Sequence, residues 1–279
     1  MEEADFQAAV RQIEVASGGV LCFAAQNLDT GEVLAALPYR KVKTASVVKL
    51  PILVHVALSV AEGALDWDEP LVLNEEEKVG GSGVLTQMTP GLALSLRDVC
   101  MLMTVFSDNT ATNMVIERVG TGPVNARMAA LGLENTAVFR KAYAPDTPES
   151  QLYGLGVTTP ADMIKLLTLL TEGKLGGHAV GSELMRLLET QRFRDAIPRL
   201  LPADWKYAGK TWAVDAVRND VGIVTAPDGA RYALALFCQN IPLVKWTADN
   251  PGLLALSRLA HLILSQWNPV LPPIDSNAT

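Results

Sequence analysis

The sequence predicts a mixed α/β protein: an antiparallel five-stranded sheet flanked by N- and C-terminal helices, with an inserted all-α domain. Three observations lead there. Strand-like patterns fall near the two ends of the chain, helical apolar spacing fills the middle, and an amphipathic stretch stands close to each terminus. The length of 279 residues, 49% of them hydrophobic and 19% charged, is enough for a large buried core and is unlike a disordered chain.

Phe6, Val10, Ile13 and Val15 lie near helical spacing, so residues 3–16 read as a helix ended by Ser17-Gly18-Gly19. The apolar run Val20 to Gln26 and the segment Glu32 to Leu37 form a hairpin across Asp29-Thr30-Gly31. Helices follow over Ser46 to Glu62, Ser95 to Phe106, Thr110 to Val119, Pro123 to Leu131, Pro160 to Thr171 and Ser182 to Gln191. Ser95-Leu96-Arg97-Asp98 resembles a capping box, and Pro160 occupies a first-turn position that tolerates proline. Strands return at Tyr207, with Asp220 to Thr225 and Arg231 to Gln239 joined across Ala226-Pro227-Asp228-Gly229. A last amphipathic helix runs from about Asn250 to Trp267. The expected division is a discontinuous sheet domain, 1–42 with 202–279, and an all-α domain, 43–201.

Composition removes several classes of function. With 23 Lys+Arg against 30 Asp+Glu, the net charge is −7 and no basic stripe is present, so no nucleic-acid partner is expected. Cys22, Cys100 and Cys238 give neither a disulfide framework nor the paired spacing of a zinc site. His55, His178 and His261 stand alone, so no metal and no cofactor are expected, and His55 and His261 read as packing residues. Met88, Met101, Met103 and Met114 read as core filler. The N-terminal residues lack a secretory pattern, and no apolar run reaches the ~18 residues of a membrane span. The chain as written is expected to be cytoplasmic, or periplasmic or secreted if it is a mature or trimmed form, and monomeric.

Ser46-Val47-Val48-Lys49 opens a predicted helix, which puts Ser46 and Lys49 one turn apart on one face. A serine hydroxyl needs a base to become a nucleophile, and a helix N-terminus favours developing negative charge. Alone, the spacing is equally that of a helix start followed by a solvated lysine. Two further elements are Ser107-Asp108-Asn109 between helices and Lys210-Thr211 on a predicted strand. A phosphate-binding loop ending in Gly209-Lys210-Thr211 would need glycine where Asp204 stands, with a helix after it. Gly80-Gly81-Ser82-Gly83 lacks the dinucleotide pattern and reads as a flexible loop at a cleft mouth.

In order and spacing these elements resemble the S-x-x-K, S-D-N and K-T-G motifs of class A β-lactamases and penicillin-binding proteins. Thr44-Ala45, Leu50-Pro51, Asp108 to Asn113 and Thr158-Thr159-Pro160 agree with that family as well, so the resemblance covers nearly the whole chain. It implies a β-lactamase-like fold and a small-molecule substrate, a β-lactam or peptide-like amide or ester. Ser46 would be the nucleophile, Lys49 the acylation base, and Ser107 the relay to the leaving nitrogen. Asn109 would hold the acyl side chain and orient Lys49, while Lys210 and Thr211 would bind a carboxylate. The backbone N–H groups of Ser46 and Ala213 would form the oxyanion hole. Arg218 is a further carboxylate-binding candidate, set against a plain exposed strand arginine.

Two positions depart from the family. The loop from Leu133 to Lys141 aligns with the one that supplies the deacylating glutamate, and Ala142 stands at that glutamate's position. Glu149 is either a substitute or a solvated loop residue. Trp212 stands where the third motif has glycine, so its ring either folds over the groove or turns away into core. A serine hydrolase with slow deacylation is therefore expected, the alternatives being a D-Ala-D-Ala peptidase or esterase and a non-catalytic binding module.

Overall fold

The computed structural model describes residues 2–273. Helix α1 (Glu3–Ser17) leads into β1 (Val20–Asn27), β2 (Val33–Ala36) and the short β3 (Val42–Lys43). A 3-10 turn at Ala45–Val48 runs into α2 (Lys49–Ala61), followed by the ribbon β4 (Pro70–Val72) and β5 (Ala93–Ser95). Then come α3 (Leu96–Val105), α4 (Asn109–Val119), α5 (Thr121–Ala130), β6 (Ala137–Val138), α6 (Pro148–Tyr153) and β7 (Gly156–Thr158). The helical region closes with α7 (Pro160–Thr171) and α8 (His178–Glu189). Last are β8 (Lys206–Val214), β9 (Val217–Thr225), β10 (Arg231–Gln239) and α9 (Pro251–Trp267).

The five-stranded antiparallel sheet has the order β2-β1-β10-β9-β8, so the first strand of the chain pairs with the last. Both faces of its middle are covered. Phe23, Leu234 and Leu236 point into a core shared with Phe6 of α1 and with Leu256 and Ile263 of α9. Their neighbours Cys22, Ala24, Ala233, Ala235 and Phe237 point the other way, into the core of the helical region. Burial on both sides explains why β1 and β10 read as unbroken apolar runs rather than as alternation.

Every residue of α2 from Lys49 to Ser59 is buried. A helix apolar all round belongs at the centre of its layer, and that placement carries the Lys49 amine into the interior. The segment before α2 is fixed from two sides. Thr44 Oγ1 donates to the Gly156 carbonyl at 2.9 Å, and Asn219 Nδ2 donates to the carbonyls of Lys43 and Thr44 at 2.8 and 3.0 Å. Asn219 is itself held by Gln239, whose Nε2 donates to its Oδ1 at 2.9 Å.

The elements differ from the sequence reading in a few places. The Ser46 helix splits, because its first turn is 3-10 and begins at Ala45 with φ 45°, so the α-helix proper starts at Lys49. The 182–191 helix begins earlier, at His178. Only half of the capping box forms: the Ser95 hydroxyl accepts the Asp98 N–H, while the Asp98 carboxylate takes the Ser95 hydroxyl proton instead of a backbone N–H. Met88 is exposed, because it ends a one-turn 3-10 segment at the surface; Met103 and Met114 are core. No described helix is long and apolar enough to cross a membrane.

Asn219→Ala would remove both hydrogen bonds that tie the segment before α2 to the sheet. A loss of about 2–3 kcal/mol in unfolding free energy, measured by urea titration, is expected.

Candidate active site

Lys49 is 1% exposed, and its Nζ donates to the Ser107 carbonyl at 2.5 Å and reaches Ser107 Oγ and Asn109 Oδ1 at 3.0 Å each. The carbonyl and the amide oxygen only accept. Ser107 Oγ either accepts or donates, so this set of partners also suits a neutral amine with two N–H groups and a lone pair. Burial, and next the neighbouring Lys210 ammonium, hold Lys49 well below the usual lysine range, with Asp108 partly opposing.

The Ser107-Asp108-Asn109 turn is shaped by the buried Asp108 carboxylate. It accepts the N–H of Ala111 at 2.9 Å, capping α4, and those of Val84 and Leu85 at 2.6 and 2.9 Å. Ser107 takes φ 53°, which turns its carbonyl toward Lys49 and Ser82 Oγ. The glycine-rich loop at 80–83 is therefore tied down rather than free. Asn109 N–H donates to the Ser82 carbonyl and Asn109 Nδ2 to that of Gly80. Gly83, at φ +117°, lies so close that a Cβ there would meet Asp108 Cγ at 2.2 Å.

Across the cleft, β8 carries Lys210, Thr211, Trp212 and Ala213. Lys210 is fully buried, donates to the Thr211 carbonyl, and is lowered to about 7 by burial, with Asp220 opposing. Asp220 is also fully buried and is raised to about 6 by desolvation, against the hydroxyl of Tyr207, the N–H of Ile197 and Lys210. The Tyr207 ring lies over Gly209, where a Cβ would sit 2.1 Å from its hydroxyl; glycine is required by that approach.

Ser46 lines a cavity of about 300 Å³ with Lys43, Asn109, Arg140, Ala142, Tyr143, Tyr153 and Trp212. Ala142 is buried and clamped at both backbone groups by one side chain: its N–H donates to Asn113 Oδ1 at 2.7 Å, and Asn113 Nδ2 donates to its carbonyl at 3.1 Å. Glu149 sits exposed in the first turn of α6 and is not among the residues lining this cavity, which favours the solvated reading. Trp212 is half-buried, with its ring edge-to-face on Phe193 at 4.8 Å and Lys210 Nζ 5.7 Å from its centroid. It lines the groove, in keeping with the first of its two expected orientations.

Arg218 is not the exposed strand arginine of the second expectation. It is 1% exposed, and its guanidinium donates to the carbonyls of Asp215, Val217 and Lys245 beneath the Trp246 ring. Three backbone acceptors occupy it, so it works first as a structural prop. Among the described residues no group of three His, Cys, Asp or Glu could hold a metal. His55 and His261 pack as expected, bonded to Ser59 and to Pro272 and Ser265. Tyr207, Asp220, Asn113 and Asn219 were missed from sequence, because each acts through a contact far along the chain.

A profile of the beta-lactamase enzyme family matches residues 5–267. The chain belongs to that family. A β-lactamase structure from Sphaerobacter thermophilus is 30% identical and superposes with a TM-score of 0.87, covering 98% of this chain and 100% of that one. The β-lactamase AER-1 of Aeromonas hydrophila is 29% identical over 154 residues, 54% of this chain and 50% of its own length, so the match spans half of that relative. A variant of PBP-A, solved as an acyl-enzyme complex with penicillin G, is 25% identical with a TM-score of 0.81, covering 95% of this chain and 97% of that one.

The buried Asp220 and Lys210 make stability depend on pH with opposite signs. Asp220 binds a proton on folding between its ordinary 3.8 and about 6, so its contribution is lost as pH rises through that window; Lys210 sheds one between about 7 and 10.5, and its cost is relieved as pH rises. Asp220→Asn is expected to remove a decline of order 2 kcal/mol between pH 4 and 6, read as the difference from the parent in urea unfolding at the two pH values.

Proposed function

We propose that the protein is a serine acyl-transfer hydrolase of class A β-lactamase type acting on a β-lactam or a related amide or ester. The observation that carries this reading is the buried Lys49 amine, held by Ser107 and Asn109 at the end of α2 where Ser46 lines the cleft. In this reading the all-α domain, 43–201, supplies Ser46, Lys49, Ser107 and Asn109. The sheet domain, 1–42 with 202–279, supplies Lys210, Thr211 and Ala213.

Ser46 Oγ attacks the substrate carbonyl carbon while its proton passes to neutral Lys49 Nζ. The carbonyl oxygen takes up negative charge between the N–H groups of Ser46 and Ala213, and loss of one such donor costs about 3 kcal/mol. When the C–N or C–O bond breaks, Lys49 returns the proton through Ser107 Oγ to the leaving atom. Lys210 and Thr211 bind the carboxylate of the leaving half, and Lys210 keeps Lys49 from holding its proton. Water then cleaves the ester on Ser46 and restores the enzyme.

That last step is the slow one. Ala142 lines the cavity, and in this reading it stands in the loop where the resemblance expects the deacylating glutamate; a missing general base costs about 10²–10⁴ in rate. The same alanine favours, as second reading, a peptidase or esterase of penicillin-binding-protein type, in which a long-lived adduct with a β-lactam is the normal outcome.

Intact-mass measurement with benzylpenicillin is expected to show one covalent adduct, absent in Ser46→Ala; no adduct in the parent would favour a binding module instead. Ala142→Glu is expected to release the adduct about 10²-fold faster or more, followed by mass against time. Full turnover in the parent without a detectable adduct would contradict the slow step.

A further inference from the structure

A second cavity of about 220 Å³ shares the Trp212 wall with the one that holds Ser46. Its lining includes Phe193, Leu253 and Trp246 together with the charged Asp195, Arg218 and Lys245, and Thr211 and Ala213 of β8 open onto it. Trp246 is 63% exposed, yet it is held in place. It lies in the segment 242–249, whose Lys245 carbonyl accepts from Arg218 at 2.6 Å and from Asn250 at 2.9 Å, and whose Asp249 pairs with Arg199 at 2.9 Å. The Arg218 guanidinium stacks 5.1 Å below the indole. An exposed tryptophan anchored this firmly, opposite a second tryptophan and a phenylalanine, makes a preformed aromatic compartment rather than a loose surface contact.

We infer that this compartment receives the leaving half of the substrate, and that this half carries an aromatic or bulky apolar group next to its carboxylate. The inference rests on the acyl-transfer reading above. There the scissile carbonyl lies between Ser46 and Ala213, and the acyl half occupies the cavity of Asn109 and Ala142. The leaving half runs along Thr211, and the space that Thr211 and Ala213 face is the one between Trp212 and Trp246. Arg218 supports it from below, with three of its five N–H groups given to backbone carbonyls.

Two esters test this, each with a phenylacetylglycyl acyl half and one with D-lactate, the other with D-3-phenyllactate, as leaving half. The phenyllactate ester is expected to have a kcat/KM about tenfold higher, the order for partly burying one added apolar group. Trp246→Ala is expected to bring that ratio close to one, and Trp246→Phe to keep most of it. Leu243→Ala, on the same segment but outside the lining, is expected to leave the ratio alone. A ratio at or below one in the parent, or a ratio that survives Trp246→Ala, overturns the compartment while the acyl-transfer reading stands. If neither ester is cleaved and benzylpenicillin leaves no adduct on Ser46, both fall together.

Discussion

Two lysine amines buried beside one cleft are the constraint on which the rest of the site depends. Lys49 and Lys210 both lie in the interior, where a charge is costly and a second like charge is more so. Both amines are therefore lowered from the usual lysine range. Lys49 is the amine pushed further, because Lys210 adds to the effect of burial, while Asp220 favours the charge on Lys210. Both shifts follow from the same desolvation, opposed by Asp108 at Lys49 and by Asp220 at Lys210.

Those shifts hold only if the groups cannot drift apart. Asp108 fixes the turn that presents Ser107 and Asn109, by taking three backbone N–H groups from two separate segments. Asn219 joins the sheet to the residues just before Ser46, and Tyr207 lies across Gly209 to reach Asp220. These side chains belong to elements distant in sequence. Closing the first strand against the last leaves β8 at the sheet edge with β9 beside it, both against the 3-10 turn that carries Ser46.

The long elements were legible in the sequence because each carries its own period, cap or turn. Residues 160–171 and 231–239 come out with the boundaries expected, the first set by Thr159-Pro160 and the second by the turn at 226–229. The strands β3, β6 and β7, of two or three residues, have no period to read. The motif residues were legible as a resemblance, and Ser46, Asn109 and Trp212 do line one cavity. Arg218 was misjudged because burial of a strand arginine depends on a segment 27 positions later, whose Lys245 carbonyl accepts from it. The tethering of residues 80–83 was hidden for the same reason, since its anchors Ser107 and Asn109 lie beyond a whole helix.

The clamp that Asn113 places on residue 142 has a consequence for how such a protein diverges. Both contacts are made to main-chain atoms, so the hydrogen bonds that hold the loop do not depend on which side chain stands there. Anchoring and side-chain identity are thereby separable at one codon. A lineage can change the group presented to the cavity there and keep the hydrogen bonds that hold the loop.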